Sequence, residues 1–127
     1  MEVERIADGL WRWTARLHGR DVVCLYVESQ HAISLLDPVV PPEDRERFLD
    51  ALDRDVARHG GPVHVYGTSR GRLEHAVELV ERYGALVVDG PSEDVVPLPG
   101  VEAFWVPSHR TLFVGGGVER VVRDVGP

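Results

Sequence analysis

Residues 63–84 read VHVYGTSRGRLEHAVELVERYG. The first four alternate branched and polar side chains, the pattern of a short strand over 63–66. A polar loop follows at 67–72. From Arg72 to Tyr83, Leu73, Ala76, Val77 and Val80 recur at i, i+3, i+4 and i+7, which predicts an amphipathic helix that Gly84 stops. A strand feeding a helix through a tight loop is the unit of an α/β fold.

The flanking sequence repeats that alternation of strands and helices. Downstream, 85–88 reads as a strand and Asp89-Gly90-Pro91-Ser92 as a turn. A hairpin of 101–106 and 111–114 crosses Pro107-Ser108-His109-Arg110. Gly115-Gly116-Gly117 then precedes a short strand at 118–122. Upstream, Phe48, Leu49, Leu52 and Val56 share one face of a helix predicted over 43–58. Pro42 suits its first position and Gly60-Gly61 its end. Acidic Glu43, Asp44 and Glu46 sit at its start and Arg54, Arg58 and His59 at its end, both matching the helix dipole. Glu43–Arg47 and Asp50–Arg54 are spaced as i, i+4 pairs. Before it, strands are expected at 3–6, 10–14, 22–28 and 32–37. The run at 22–28 is almost continuously apolar, as burial on both faces requires. One α/β domain over 1–127 with a mixed sheet accounts for this order.

With 127 residues, 43% hydrophobic and 28% charged, the chain is expected to fold around a real core. The net charge of −7 disfavours phosphate backbones and anionic lipid, so neither nucleic acid nor membrane is an expected partner. The start, MEVERIADGLWRW, lacks a basic segment followed by an apolar one, which points to the cytoplasm. Cys24 is the single cysteine, set in VVCLYV. It reads as a buried thiol, because no histidine or basic residue flanks it. Trp11, Trp13 and Trp105 lie on strands and read as core or interface.

Several segments, in order, resemble the metallo-β-lactamase superfamily: IADGLWRWT, AISLLDP with its strand-end Asp37, VHVY and its loop, a helix ending ERYGA, and LPGVEAFWVPSHRTLFVGG. The likeness covers nearly the whole chain and matches only the first part of a typical member. It implies an αββα sandwich, here in shortened form. It also implies a metal site whose loop motif is H-x-H-x-D-H. Laid on this sequence, those ligand positions fall on Gly67, Ser69, Gly71 and Arg72, and the bridging aspartate falls on Gly116. A C-terminal histidine would lie past Pro127. A zinc site needs three or four converging N, S or O ligands. Gly offers none, and Arg70 and Arg72 are permanent cations. The sequence therefore reads as a metal-free, degenerate member with no cofactor and no hydrolase activity. Its expected role is structural, interactive or ligand-binding.

Other readings of the same residues stay open. A remodelled or partner-completed zinc site would draw on His64, His75 and His109. No histidine pair has the H-x-H or H-x3-H spacing, and each histidine also reads as an ordinary surface residue. Thr68, Ser69, Arg70 and Arg72, with Asp37 nearby, form a second candidate. A loop entering a helix offers free N–H groups to a small anion. The same residues also read as a plain cap, with Thr68 or Ser69 capping and the arginines solvated. Finally, a shortened sandwich leaves a sheet face to be covered, so a homodimer is expected around Phe104, Trp105 and Phe113.

Overall fold

The computed structural model describes residues 2–114 and 117–120. Three strands open the chain as an antiparallel meander: β1 (Glu2–Ala7), β2 (Leu10–Leu17) and β3 (Arg20–Glu28). β2 runs three residues past its predicted end. The turn that closes it is His18-Gly19, with φ of 50° and 76°. Two left-handed residues in succession are what a two-residue hairpin demands. Histidine is an unusual occupant of the first position, so the turn left little mark on the sequence.

β4 (Ile33–Leu36) pairs antiparallel with β3 and parallel with β5 (Val63–Tyr66), which pairs in turn with β6 (Leu86–Val87). The first sheet is thus six-stranded and mixed, in the order β1-β2-β3-β4-β5-β6. A second, antiparallel sheet holds β7 (Val96–Pro97), β8 (Ala103–Val106), β9 (Thr111–Val114) and β10 (Gly117–Arg120). β10 matches the first part of the strand expected at 118–122. Gly115, Gly116 and residues 121–122 lie outside the described residues.

Strand alternation divides the apolar residues between two cores. Trp13, Cys24, Ile33, Leu35 and Val63 face the helices. Leu10, Leu25, Val27, Leu36 and Tyr66 face the second sheet and meet Val95, Phe104, Val106 and Phe113. The fold is α/β with a mixed sheet, and the described residues form helix, sheet and sheet layers. These are three of the four layers the resemblance implies. Phe104 and Phe113, expected at a dimer surface, lie in the inter-sheet core of the single chain, where strand alternation turns both. Trp105 and Leu112, paired on the opposite face, remain partly exposed.

Helix α1 (Arg45–His59) starts two residues later than predicted. Pro42 initiates a 3-10 turn, Pro42–Asp44, rather than the α-helix itself. Leu49 and Leu52 are buried, and Gly60 ends the helix in the left-handed conformation. Ion pairs tie α1 to its neighbours. Arg58 reaches Glu28 on β3 at 2.5 Å, and Arg45 pairs with Glu78. Asp53 accepts from Arg82 at 2.6 Å and from the Tyr83 hydroxyl at 2.6 Å.

The predicted helix over 72–83 is two helices, α2 (Arg70–Glu74) and α3 (Val77–Tyr83). His75 N donates to Arg72 O and Ala76 N to Leu73 O, both one residue tighter than α-helical bonding. That turn resets the helical phase. Ala76 and Leu79 are fully buried, while Val77, placed on the expected stripe, is 53% exposed. Leu79→Ala should cost about 2–4 kcal/mol in urea unfolding, and Val77→Ala no more than about 0.5 kcal/mol. Equal losses would mean that the helix continues unbroken through His75.

Candidate functional site

β4 and β5 are adjacent and parallel, so their C-terminal ends deliver Asp37 and the 67–72 loop to one place. Open sheets commonly put ligand sites at such ends. Asp37 N donates to Tyr66 O at 2.9 Å, which fixes the register there. The residue has φ 50°, a conformation that aspartate tolerates better than most side chains.

The Asp37 side chain is only 1% exposed. One carboxylate oxygen accepts from Thr68 N and the other from Thr68 Oγ1, both at 2.7 Å. Burial raises the carboxyl above the usual aspartate range. The two Thr68 hydrogen bonds and the charge of Arg72 pull the other way, and Glu102 adds to the rise. Ser69 accepts from Arg72 N at 3.4 Å and caps α2. Thr68 N, Thr68 Oγ1 and Arg72 N thus already have acceptors within the chain, and Asp37 takes the place of an anion for Thr68. The capping reading describes this geometry, and Arg72 contributes charge toward Asp37.

Gly67 is shaped by a close approach. A Cβ there would lie 2.5 Å from Leu73 Cγ and 3.0 Å from Ser69 O. Any side chain at 67, a histidine included, would force Leu73 aside. Gly71 is different, since a Cβ there meets nothing nearer than Ser69 Oγ at 3.9 Å. The donor set offered by this loop therefore does not fit a zinc ion. Gly67 has no room for a side chain, Ser69 caps α2, and Arg70 and Arg72 are cations.

The three histidines named from the sequence lie apart. His64 is on the inter-sheet side of β5, its ring 6.5 Å from that of Tyr66. His75 is exposed at the break between α2 and α3. His109 ties two turns together, through Asp8 O at 2.7 Å and Ser108 Oγ at 2.7 Å. Among the described residues no group of three or more His, Cys, Asp or Glu side chains converges. Cys24 is fully buried, and burial pushes its thiol up to about 12, so it is a protonated core residue. Gly116 lies outside the described residues.

Two features carried little sequence signal. One is a polar cluster between the sheets. The Tyr66 hydroxyl meets Ser92 Oγ at 2.8 Å, and Ser34 Oγ and His64 Nδ1 are buried without a hydrogen-bond partner among the described residues. The other is an aromatic cleft beside α1, lined by Trp11, Trp13, Tyr26 and Phe48.

Solved structures similar to this chain include two metallo-β-lactamase-related ones. One is TMB-1, described for the role of two residues in substrate and inhibitor binding. It shows 15% identity and a TM-score of 0.47, covering 96% of this chain and 72% of that one. The other is a metallo-β-lactamase from Pontibacter korlensis, at 17% identity and a TM-score of 0.39, covering 88% of this chain and 69% of that one. No family model matches the chain, and no curated protein matches it.

The raised Asp37 carboxyl has a definite sign in stability. The folded chain holds this proton more tightly than the unfolded one. The group's contribution is therefore full below the ordinary aspartate value of about 3.9 and is lost as pH rises through the folded value. Asn keeps an acceptor for Thr68 N and tolerates positive φ. Asp37→Asn should therefore raise the urea midpoint at pH 7, and the gain should shrink below about pH 4. A lower midpoint at pH 7 would show that the ionised carboxylate stabilises the fold on balance.

Proposed function

We infer that this chain is a metal-free protein of metallo-β-lactamase-like architecture that binds rather than hydrolyses. The ordered sequence resemblance supports the architecture, with Asp37 closing β4 where the loop leaves β5. The observation that carries the functional reading is the contact between Gly67 and Leu73, which closes the position where the resemblance implies the first metal ligand. Asp37 has both carboxylate oxygens engaged by Thr68. A hydrolase of this kind needs a metal to lower the pKa of bound water and polarise its substrate. None of the loop side chains supplies a histidine or carboxylate for that purpose.

Among the described residues no helix is long and apolar enough to cross a membrane.

A zinc-dependent alternative needs His64, His75 and His109 to be joined by ligands from another chain. A small-anion role at Thr68, Ser69, Arg70 and Arg72 competes with Asp37 for the two Thr68 donors. Metal content separates the first of these from the binding reading. The purified protein should carry far less than one equivalent of zinc, iron or manganese. Its melting temperature should be the same with EDTA as with excess zinc. A site filled at a hundred times its dissociation constant would add about 2.7 kcal/mol of stability. Stoichiometric metal, or a rise of several degrees on adding zinc, would overturn the binding reading.

A further inference from the structure

The helix layer does not reach across the whole first sheet. Val3 pairs with Trp13, and Trp11 lies two residues away on the same strand, so all three share the helix-facing side. Trp13 is buried against α1, yet Val3 stays 53% exposed and Trp11 37% exposed. Between this uncovered strip and the flank of α1 runs a cleft of about 360 Å³. Small-molecule sites begin at about 300 Å³.

The cleft is largely apolar and its walls are held in place from behind. Trp13 donates its indole N–H to Val39 O at 3.0 Å, and its ring lies 5.1 Å from Phe48. The Tyr26 hydroxyl donates to Glu28 at 2.7 Å, and Glu28 is held by Arg58. A floor fixed in this way loses little freedom when a ring settles on it. None of the 67–72 loop residues contributes to the cleft.

Charge selects among apolar ligands. The lining includes Asp55 and Arg47. Asp55 shares Arg58, at 3.5 Å, with Glu28, which holds that guanidinium at 2.5 Å. Arg5, farther along the strip, pairs with Asp8. Arg47 is exposed, forms no ion pair among the described residues, and is the one cation of the lining. A guanidinium is the side chain best shaped to take a carboxylate or sulfonate in two parallel hydrogen bonds.

The geometry points to this cleft as a binding site for a small aromatic monoanion. Its ring stacks on the exposed face of Trp11, over the floor of Trp13 and Tyr26. Its acidic group pairs with Arg47 at the lip. Both halves of the ligand are needed. The apolar body gains from burial against aromatic faces, and the single charge distinguishes it from neutral aromatics in a chain that otherwise repels anions.

A matched pair of probes tests both halves. 8-Anilino-1-naphthalenesulfonate and N-phenyl-1-naphthylamine share the arylamine body, and only the first carries an anion. The folded protein should bind one equivalent of the sulfonate saturably, with quenching of tryptophan emission. Trp11→Ala should weaken both probes by about tenfold or more, the equivalent of losing one buried aromatic contact. Arg47→Gln should weaken the sulfonate by about fivefold and leave the neutral amine within about twofold. Val77→Ala, which removes exposed apolar surface elsewhere, should change neither. Arg47 lies on an exposed helix face, so Arg47→Gln should melt as the parent does, which keeps the comparison free of unfolding. Three results would overturn the assignment: no saturable sulfonate binding, more than one equivalent bound, or an equal effect of Arg47→Gln on both probes. So would a sulfonate affinity that falls as protein concentration rises, since a second copy would then occupy the cleft.

Discussion

β4 is four residues long, and Ile33, Ser34, Leu35 and Leu36 are all fully buried. The molecule is organised around that constraint. Ile33 and Leu35 complete the core under the helices, and Leu36 completes the core against the second sheet. β4 is also where the first sheet changes from antiparallel to parallel pairing. A parallel neighbour needs a crossover, and α1 supplies it while covering the same face it departs from. Because β4 and β5 run the same way, both chains leave the sheet at one end, where Asp37 and Gly67 emerge side by side.

The chemistry of that end follows from how tightly it is packed. Thr68 satisfies both oxygens of a buried carboxylate, and Leu73 lies against the bare Cα of Gly67. A site intended for a ligand usually leaves directed groups unpaired and facing outward. Here Asp37 and Thr68 face one another, and that pair closes the end of the sheet. Elsewhere among the described residues, Arg47 at the lip of the aromatic cleft forms no ion pair, and Ser34 Oγ and His64 Nδ1 are buried without a hydrogen-bond partner.

The parts of this architecture governed by local pattern were legible in the sequence. The α/β class, the strands at 22–28 and 63–66, the face of α1 marked by Leu49 and Leu52, and the hairpin before Val114 follow from periodicity and turn chemistry. What was not legible depended on contacts between elements. The break at His75-Ala76 has no glycine or proline to announce it, so the stripe placed Val77 inside and passed over Leu79. The inward turn of Phe104 and Phe113 needed the second sheet's partner to be known. At the candidate site, the identity of Asp37 and of the loop residues was visible. The Asp37–Thr68 pair, 31 positions apart, was not. The aromatic cleft was hidden for the same reason. Trp11, Tyr26 and Phe48 come from three elements, and only their assembly leaves a strip of the first sheet uncovered.

The contact at Gly67 also constrains how such a chain can change over generations. A larger residue at 67 is incompatible with Leu73, and shrinking Leu73 alone opens a gap beneath the loop. Each single step carries a penalty that the other relieves, so the two positions are coupled and their effects do not add. Residues 67 and 73 thus behave as one two-part fitting: a side chain is accommodated at 67 only when the residue at 73 gives way in the same step.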